Sequence, residues 1–134
     1  MRRPELLAPG GSFLAAYQAL QAGADGVYLG LKEFSARKAA ANFTLEQLRR
    51  LLGVARERGL TVYLALNTVI REEEIGRAAE MLFWAESLGL DGVIIQDVGI
   101  YELARAHFPR LSLHASTQMA VHNSEGLKVA KELG

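Results

Sequence analysis

No cysteine occurs anywhere in the 134 residues. That excludes disulfides, a thiol nucleophile and cysteine-ligated zinc or iron–sulfur centres within this segment. An excess of one charge is missing too: 15 basic residues balance 15 acidic ones, and the sequence pI is about 6.8. Such a balance carries no global electrostatic footprint for nucleic acid, a membrane surface or an acidic polymer, although a local basic patch stays open. No apolar run approaches the roughly 20 residues of a membrane span. Met1-Arg2-Arg3-Pro4 leads straight into a strand-like segment without the apolar region of a signal peptide. A cytoplasmic location is therefore expected. Low-complexity stretches and linker-like runs are also absent, so residues 1–134 read as a single β/α domain.

What is present is 50% hydrophobic, ample for a core at this length. Apolar runs of strand length alternate with longer helical patterns. The strand candidates are Glu5–Ala8, Gly26–Leu31, Thr61–Asn67, Gly92–Gln96 and Leu111–Ala115. Most are apolar at successive positions, as a parallel sheet covered by helices requires. Ser12 is a candidate N-cap for the first helix, and Thr44 with Gln47 makes a capping-box signature for the second. In the third helix, Ile75, Ala78, Ala79, Leu82 and Phe83 predict one apolar stripe, with Glu72-Glu73-Glu74 at the positive end of the helix dipole.

Gly23, Gly59 and Gly89 each close a helix just before a strand, the position where a left-handed residue caps a C-terminus. Gly134 closes a fifth helix in the same way. The series is expected to be the N-terminal part of a longer barrel. Gly23-Ala-Asp-Gly-Val27 returns as Gly89-Leu-Asp-Gly-Val93. That recurrence fits equivalent units around a barrel, or turn chemistry arrived at twice.

Two architectures suit the alternation: part of a (β/α)₈ barrel of the triosephosphate-isomerase type, about five β/α units long, or a five-stranded open parallel sheet of flavodoxin type. Both put their sites at the C-terminal ends of the strands. There this chain collects its unusual polar residues: Pro9-Gly-Gly-Ser12, Ser35-Ala-Arg37, Asn67-Thr68, Gln96-Asp97 and His114-Ala-Ser-Thr-Gln118. A purely structural rim would stay apolar up to the turn, so these residues predict a binding site.

Each member also has a plainer role. The Pro-Gly-Gly-Ser turn can offer backbone N–H groups to an anion, or simply cap a helix. Arg37 can clamp a carboxylate or phosphate through its planar fork, or sit in solvent. Asn67, Gln96 and Gln118 can orient a substrate or satisfy one another as a buried polar layer. His114 beside Asp97 can shuttle a proton or polarise a carbonyl. A Ser–His–Asp triad through Ser116 is disfavoured, because residues two apart on a strand stand about 7 Å apart with parallel side chains. His107, His114 and His122 follow no zinc-ligand spacing, so no metal site is expected here.

Several segments resemble the N-terminal half of the bacterial collagenase-like peptidases, peptidase family U thirty-two, whose letter marks an unknown catalytic type. They are Glu5-Leu-Leu-Ala-Pro-Gly-Gly-Ser12, Gly23-Ala-Asp-Gly-Val-Tyr-Leu-Gly30, Phe34-Ser-Ala-Arg37 with Asn42-Phe43, Leu66-Asn67-Thr68, Ile95-Gln96-Asp97 and Leu113-His-Ala-Ser-Thr-Gln-Met119. The similarity covers nearly the whole chain. It departs mildly at the opening, where Pro-Gly-Gly-Ser replaces the usual Pro-Ala-Gly-Ser.

The resemblance implies a (β/α)₈-type barrel followed by further sequence. Some members carry protease names. Others take part in hydroxylating a tRNA uridine, a ribosomal RNA cytidine or the ubiquinone ring, with prephenate implicated as oxygen source and an iron–sulfur cluster as cofactor. The cluster cysteines belong to later sequence. Carried over by position, His114 and Asp97 become catalytic candidates. Arg37, Asn67, Gln96, Ser116, Thr117 and Gln118 become substrate-binding ones.

Three functions follow from this. The first is prephenate-dependent hydroxylation of tRNA or ribosomal RNA pyrimidines by the complete protein, with a small dicarboxylate and RNA as partners and the segment alone inactive. The second is a collagenase-type peptidase. The third is a non-catalytic ligand-binding or scaffold fragment, whose exposed sheet edges would favour a homodimer.

Overall fold

The computed structural model describes residues 3–31 and 43–134. Its order is β1 (Leu7–Pro9), α1 (Phe13–Gln21), β2 (Gly26–Gly30), α2 (Leu45–Glu57), β3 (Thr61–Leu66), α3 (Ile75–Leu88), β4 (Gly92–Ile95), α4 (Val98–His107), β5 (Leu113–Ala115) and α5 (Ser124–Leu133). Short 3₁₀ turns at Glu72–Glu74 and Thr117–Met119 precede α3 and α5. Each predicted strand forms, with ends no more than two residues from those expected.

All five strands are parallel and lie in the order β1-β2-β3-β4-β5. That order decides between the two architectures. A flavodoxin-type sheet runs 2-1-3-4-5, with β1 between β2 and β3. Here, among the described residues, β1 pairs with β2 alone and stands at an edge. Right-handed crossovers that always advance in one direction carry every helix to the same face of the sheet. This is the winding of a (β/α)₈ barrel, seen as an arc of five strands.

The two faces divide by residue parity. Val27, Leu29, Val62, Leu64, Leu66, Val93 and Ile95 point to the helices, and none is more than 2% exposed. The alternate positions, Tyr28, Tyr63, Ala65, Ile94 and His114, point to the concave side, where Tyr28, Tyr63 and Ile94 are partly buried, His114 is exposed and Ala65 is buried. Helices α1 to α4 each contribute buried residues to the helix-side core, such as Leu48, Leu51, Leu52 and Ala55 of α2, whereas α5 adds only the partly buried Leu133.

The local signals are realised as bonds. Ser12 Oγ accepts from Ala15 N–H at 3.1 Å. Gln47 N–H donates to Thr44 Oγ1 at 3.2 Å while Thr44 N–H donates to Gln47 Oε1 at 3.0 Å, a complete capping box. Gly23, Gly59 and Gly89 have φ of 101°, 66° and 68°, the left-handed conformation their positions required. One expectation needs correcting. The buried stripe of α3 is Ala78, Met81, Leu82 and Ala85, and Phe83 is 53% exposed, edge-on against Trp84. A 3.6-residue period centred on Leu82 puts Phe83 a full 100° round the helix, outside the face that meets the sheet.

The repeated Gly-x-Asp-Gly-Val segment performs one task twice. Asp25 N–H donates to Leu6 O at 2.9 Å, and Asp25 Oδ2 accepts from Leu6 N–H at 2.7 Å. Asp91 N–H donates to Val62 O at 3.0 Å, and Asp91 Oδ2 accepts from Val62 N–H at 2.7 Å. Each aspartate thus grips both main-chain polar groups of one residue in or just before the neighbouring strand. Asp91→Ala is expected to destabilise by about 1–3 kcal/mol, because the Val62 amide is part-buried and would lose its acceptor. Asp25→Ala should cost less, its bond being exposed. Equal effects in urea denaturation would refute that ordering.

Candidate functional site

Strands of this arc end in turns that face a single concave trough. Its cleft measures about 570 Å³ and is lined by Tyr28, Tyr63, Ala65 and Ile94 from the sheet floor, by Glu5 and Leu7 at one edge, and by Asn67, His114, Ala115, Ser116, Thr117 and Gln118. Five of the residues singled out from sequence therefore come together: Asn67, His114, Ser116, Thr117 and Gln118. Gln96 and Asp97 follow β4 but do not line this cleft. Arg37 lies outside the described residues.

His114 sits at the strand edge of the floor, in register with Ile94. Its ring leans back along β5 rather than standing straight out. It meets Tyr63 edge-on, with ring centroids 4.8 Å apart and planes at 70°. Its Nε2 lies 3.3 Å from Ser112 Oγ. Among the described residues no hydrogen bond joins His114 to Ser116, whereas the leaning ring comes within reach of Ser112. A tilted imidazole spans the two-residue step in one direction only.

Gly92 makes that tilt possible. A methyl group there would stand 2.7 Å from Ser112 O and 3.1 Å from both Cδ2 and Nε2 of His114. The contact with the Ser112 carbonyl is shorter than real carbon atoms make, and the ring contacts are tight enough that the imidazole would have to shift, so glycine leaves both strand and ring undisturbed.

Ser116 is 5% exposed and turned into its own loop. Its hydroxyl donates to Gln118 Oε1 at 3.1 Å and its oxygen accepts from Gln118 N–H at 3.2 Å. The 3₁₀ turn it caps ends on Ala120, whose φ of 57° is left-handed. A non-glycine residue there costs about 1–2 kcal/mol. That tight turn presents exposed Thr117 and Gln118 to the trough.

Asp97 has a different occupation. Oδ1 accepts from Ile100 N–H at 3.1 Å and so caps α4, while Oδ2 accepts from Ile70 N–H at 3.0 Å and so holds the loop after β3. No hydrogen bond or ion pair joins it to His114 among the described residues. Asp97→Ala is expected to cost about 2 kcal/mol, combining a lost N-cap with an orphaned part-buried amide. Lost activity at unchanged melting temperature would instead restore Asp97 to the catalytic role expected from sequence.

The other histidines lie outside the trough. His122 Nδ1–H donates to the Ala120 carbonyl at 2.6 Å, and His107 occupies the last turn of α4, where a cation suits the dipole. Among the described residues, no three His, Asp or Glu side chains gather in a way that could hold a metal ion. No described helix is long and apolar enough to cross a membrane.

Sequence reasoning missed Tyr28, Tyr63, Gly92 and Ser112. The two tyrosines had a signal: each alternates with fully buried aliphatic neighbours and so must face the other side. The roles of Gly92 and Ser112 had none, because they arise between strands.

Comparison with known proteins agrees with this geometry. The profile of Peptidase family U32 matches residues 11–134. An uncharacterized protease of Methanocaldococcus jannaschii is 40% identical over 90% of this chain and 29% of its own length. The 23S rRNA 5-hydroxycytidine synthase of Escherichia coli is 35% identical over 98% of this chain and 20% of its own length. The tRNA hydroxylation protein P1 of Bacillus subtilis is 31% identical over 99% of this chain and 32% of its own length. The chain thus spans between a fifth and a third of these relatives. Among solved structures, a U32 peptidase superposes with a TM-score of 0.78 at 18% identity, over 100% of this chain and 57% of that one. At that identity the likeness speaks for the fold alone.

Proposed function

This chain belongs to Peptidase family U32, and from that premise we propose that its complete protein hydroxylates tRNA or ribosomal RNA pyrimidines, with this segment forming one wall of the ligand trough. The supporting observation is the chemistry of the described wall. It is lined by neutral hydrogen-bonding groups and aromatic rings, Glu5 being its one carboxylate. Ser116 is spent on Gln118 and Asp97 on two backbone amides, so among the described residues Ser116, His114 and Asp97 are not aligned as a triad for acyl transfer.

In this proposal Asn67, Thr117 and Gln118 orient a polar ligand, the tyrosines supply a flat apolar floor, and His114 holds or moves a proton. Prephenate, implied by the resemblance, would be the small dicarboxylate, with Arg37 as its clamp. The residues of this segment do not fit an iron–sulfur cluster: they include no cysteine and no gathered metal donors among the described residues.

A second reading has one observation in its favour, the approach of Ser112 Oγ to His114 Nε2. A serine–histidine pair is the core of a hydrolase. Against it, 3.3 Å exceeds the usual reach of about 2.6–3.2 Å for such a pair. Ser112 also precedes β5, at the opposite end of the strand from the rim where barrel sites lie.

The test is nucleoside mass spectrometry of tRNA and ribosomal RNA from the source organism with this gene deleted. A hydroxylated pyrimidine that disappears and returns on complementation would support hydroxylation. An unchanged profile, together with gelatin cleavage lost in Ser112→Ala, would replace it with the peptidase reading.

A further inference from the structure

We infer that Gly92, Ser112 and Tyr63 are positioning residues for His114, holding its ring so that Nε2 is occupied and Nδ1 is the nitrogen left to meet a ligand. The inference deepens the proposed function, since it rests on His114 acting in the trough. Its geometry, however, stands apart from any activity.

The ring is held from three sides. Below it, Gly92 carries no side chain, and even a methyl would approach Nε2 and Cδ2 to 3.1 Å. Along its own strand, Ser112 Oγ lies 3.3 Å from Nε2. Across the floor, the Tyr63 ring meets it edge-on at 4.8 Å. These three residues come from β4, the residue before β5, and β3, so the orientation exists only when the strands are in register. Tyr63 and Gly92 are partners across β3 and β4, which sets tyrosine and glycine side by side. The large ring and the gap together make a socket for an imidazole leaning toward the start of its strand.

What remains open is Nδ1. No hydrogen bond to it exists among the described residues, whereas Nε2 has Ser112. An imidazole with one nitrogen tied is biased toward a single tautomer, and the other nitrogen then has a defined role as donor or acceptor. Tyr63 contributes a ring contact, so its hydroxyl is dispensable for this purpose.

The test uses the complete protein labelled with ¹⁵N at histidine, examined at pH 8 where an ordinary imidazole is neutral. His114 resonances are assigned by their loss in His114→Gln. The native protein is expected to show two well-separated ring nitrogens, the pattern of one dominant tautomer. Ser112→Ala and Tyr63→Leu should bring the two together toward the averaged pattern of a free ring, while Tyr63→Phe keeps them apart. Gly92→Ala should act like Ser112→Ala if it folds; the other two variants decide the question if it does not. An averaged pattern in the native protein, or separated nitrogens in both Ser112→Ala and Tyr63→Leu, overturns the inference. Averaging in the variants with undiminished RNA hydroxylation supports the positioning of His114 and removes His114 from the proposed chemistry.

Discussion

Replacing His114 by glutamine in the complete protein is expected to lower the hydroxylated nucleoside at least about a hundredfold, the usual lower bound for losing a positioned acid–base group. The same change should barely move thermal unfolding. His114 is exposed, and its contacts are one edge-on ring and one long hydrogen bond. Losing an aromatic pair of that kind costs about 0.5–1.5 kcal/mol. Quantitative mass spectrometry on a complemented deletion strain gives the first number, and calorimetry of the purified variant gives the second. A large drop in stability with intact modification would make the ring part of the packing and nothing more. Arg37→Ala should match the activity loss if that residue is the carboxylate clamp the resemblance implies.

Leu64→Ala is expected to be the most damaging single truncation for stability, at about 2–5 kcal/mol. Leu64 is 1% exposed in the middle of β3, the central strand. Its register partners are Leu29 and Val93, themselves 1% and 0% exposed. The three form a continuous aliphatic row under the helices. Neighbours held by their own strands cannot collapse into the space of a lost isobutyl group, so the cavity persists. Denaturant unfolding of the complete protein, followed by the transition that reports this half, measures the effect. A loss under about 1 kcal/mol would mean the row is not the tightly packed centre that its burial indicates.

Much of the fold was legible because the relevant forces act over three or four residues. Ser12, the Thr44–Gln47 box and the left-handed glycines each satisfy groups on their own turn, and a one-dimensional reading reaches that far. The rim residues were legible for a related reason. Polar side chains at the ends of apolar strands tend to gather at the mouth of the sheet, and Asn67, His114, Thr117 and Gln118 are found there, whereas Gln96 and Asp97 are not. Phe83 was misread because apolar spacing alone does not say where a stripe is centred. Asp97 looked chemical in sequence, yet its two oxygens answer amides 3 residues ahead and 27 residues back, and only the nearer of those was inferable.

The alternation of strands and helices, their caps, the family and the polar rim were written into the chain itself, since each depends on contacts between close neighbours or on residue types in a row. Strand order, and with it the barrel-type winding, came from which edges pair. The seat of His114 came from bringing Tyr63, Gly92 and Ser112 together across three strands. Register between strands fixes such distances to tenths of an ångström, and no spacing along the chain carries that information.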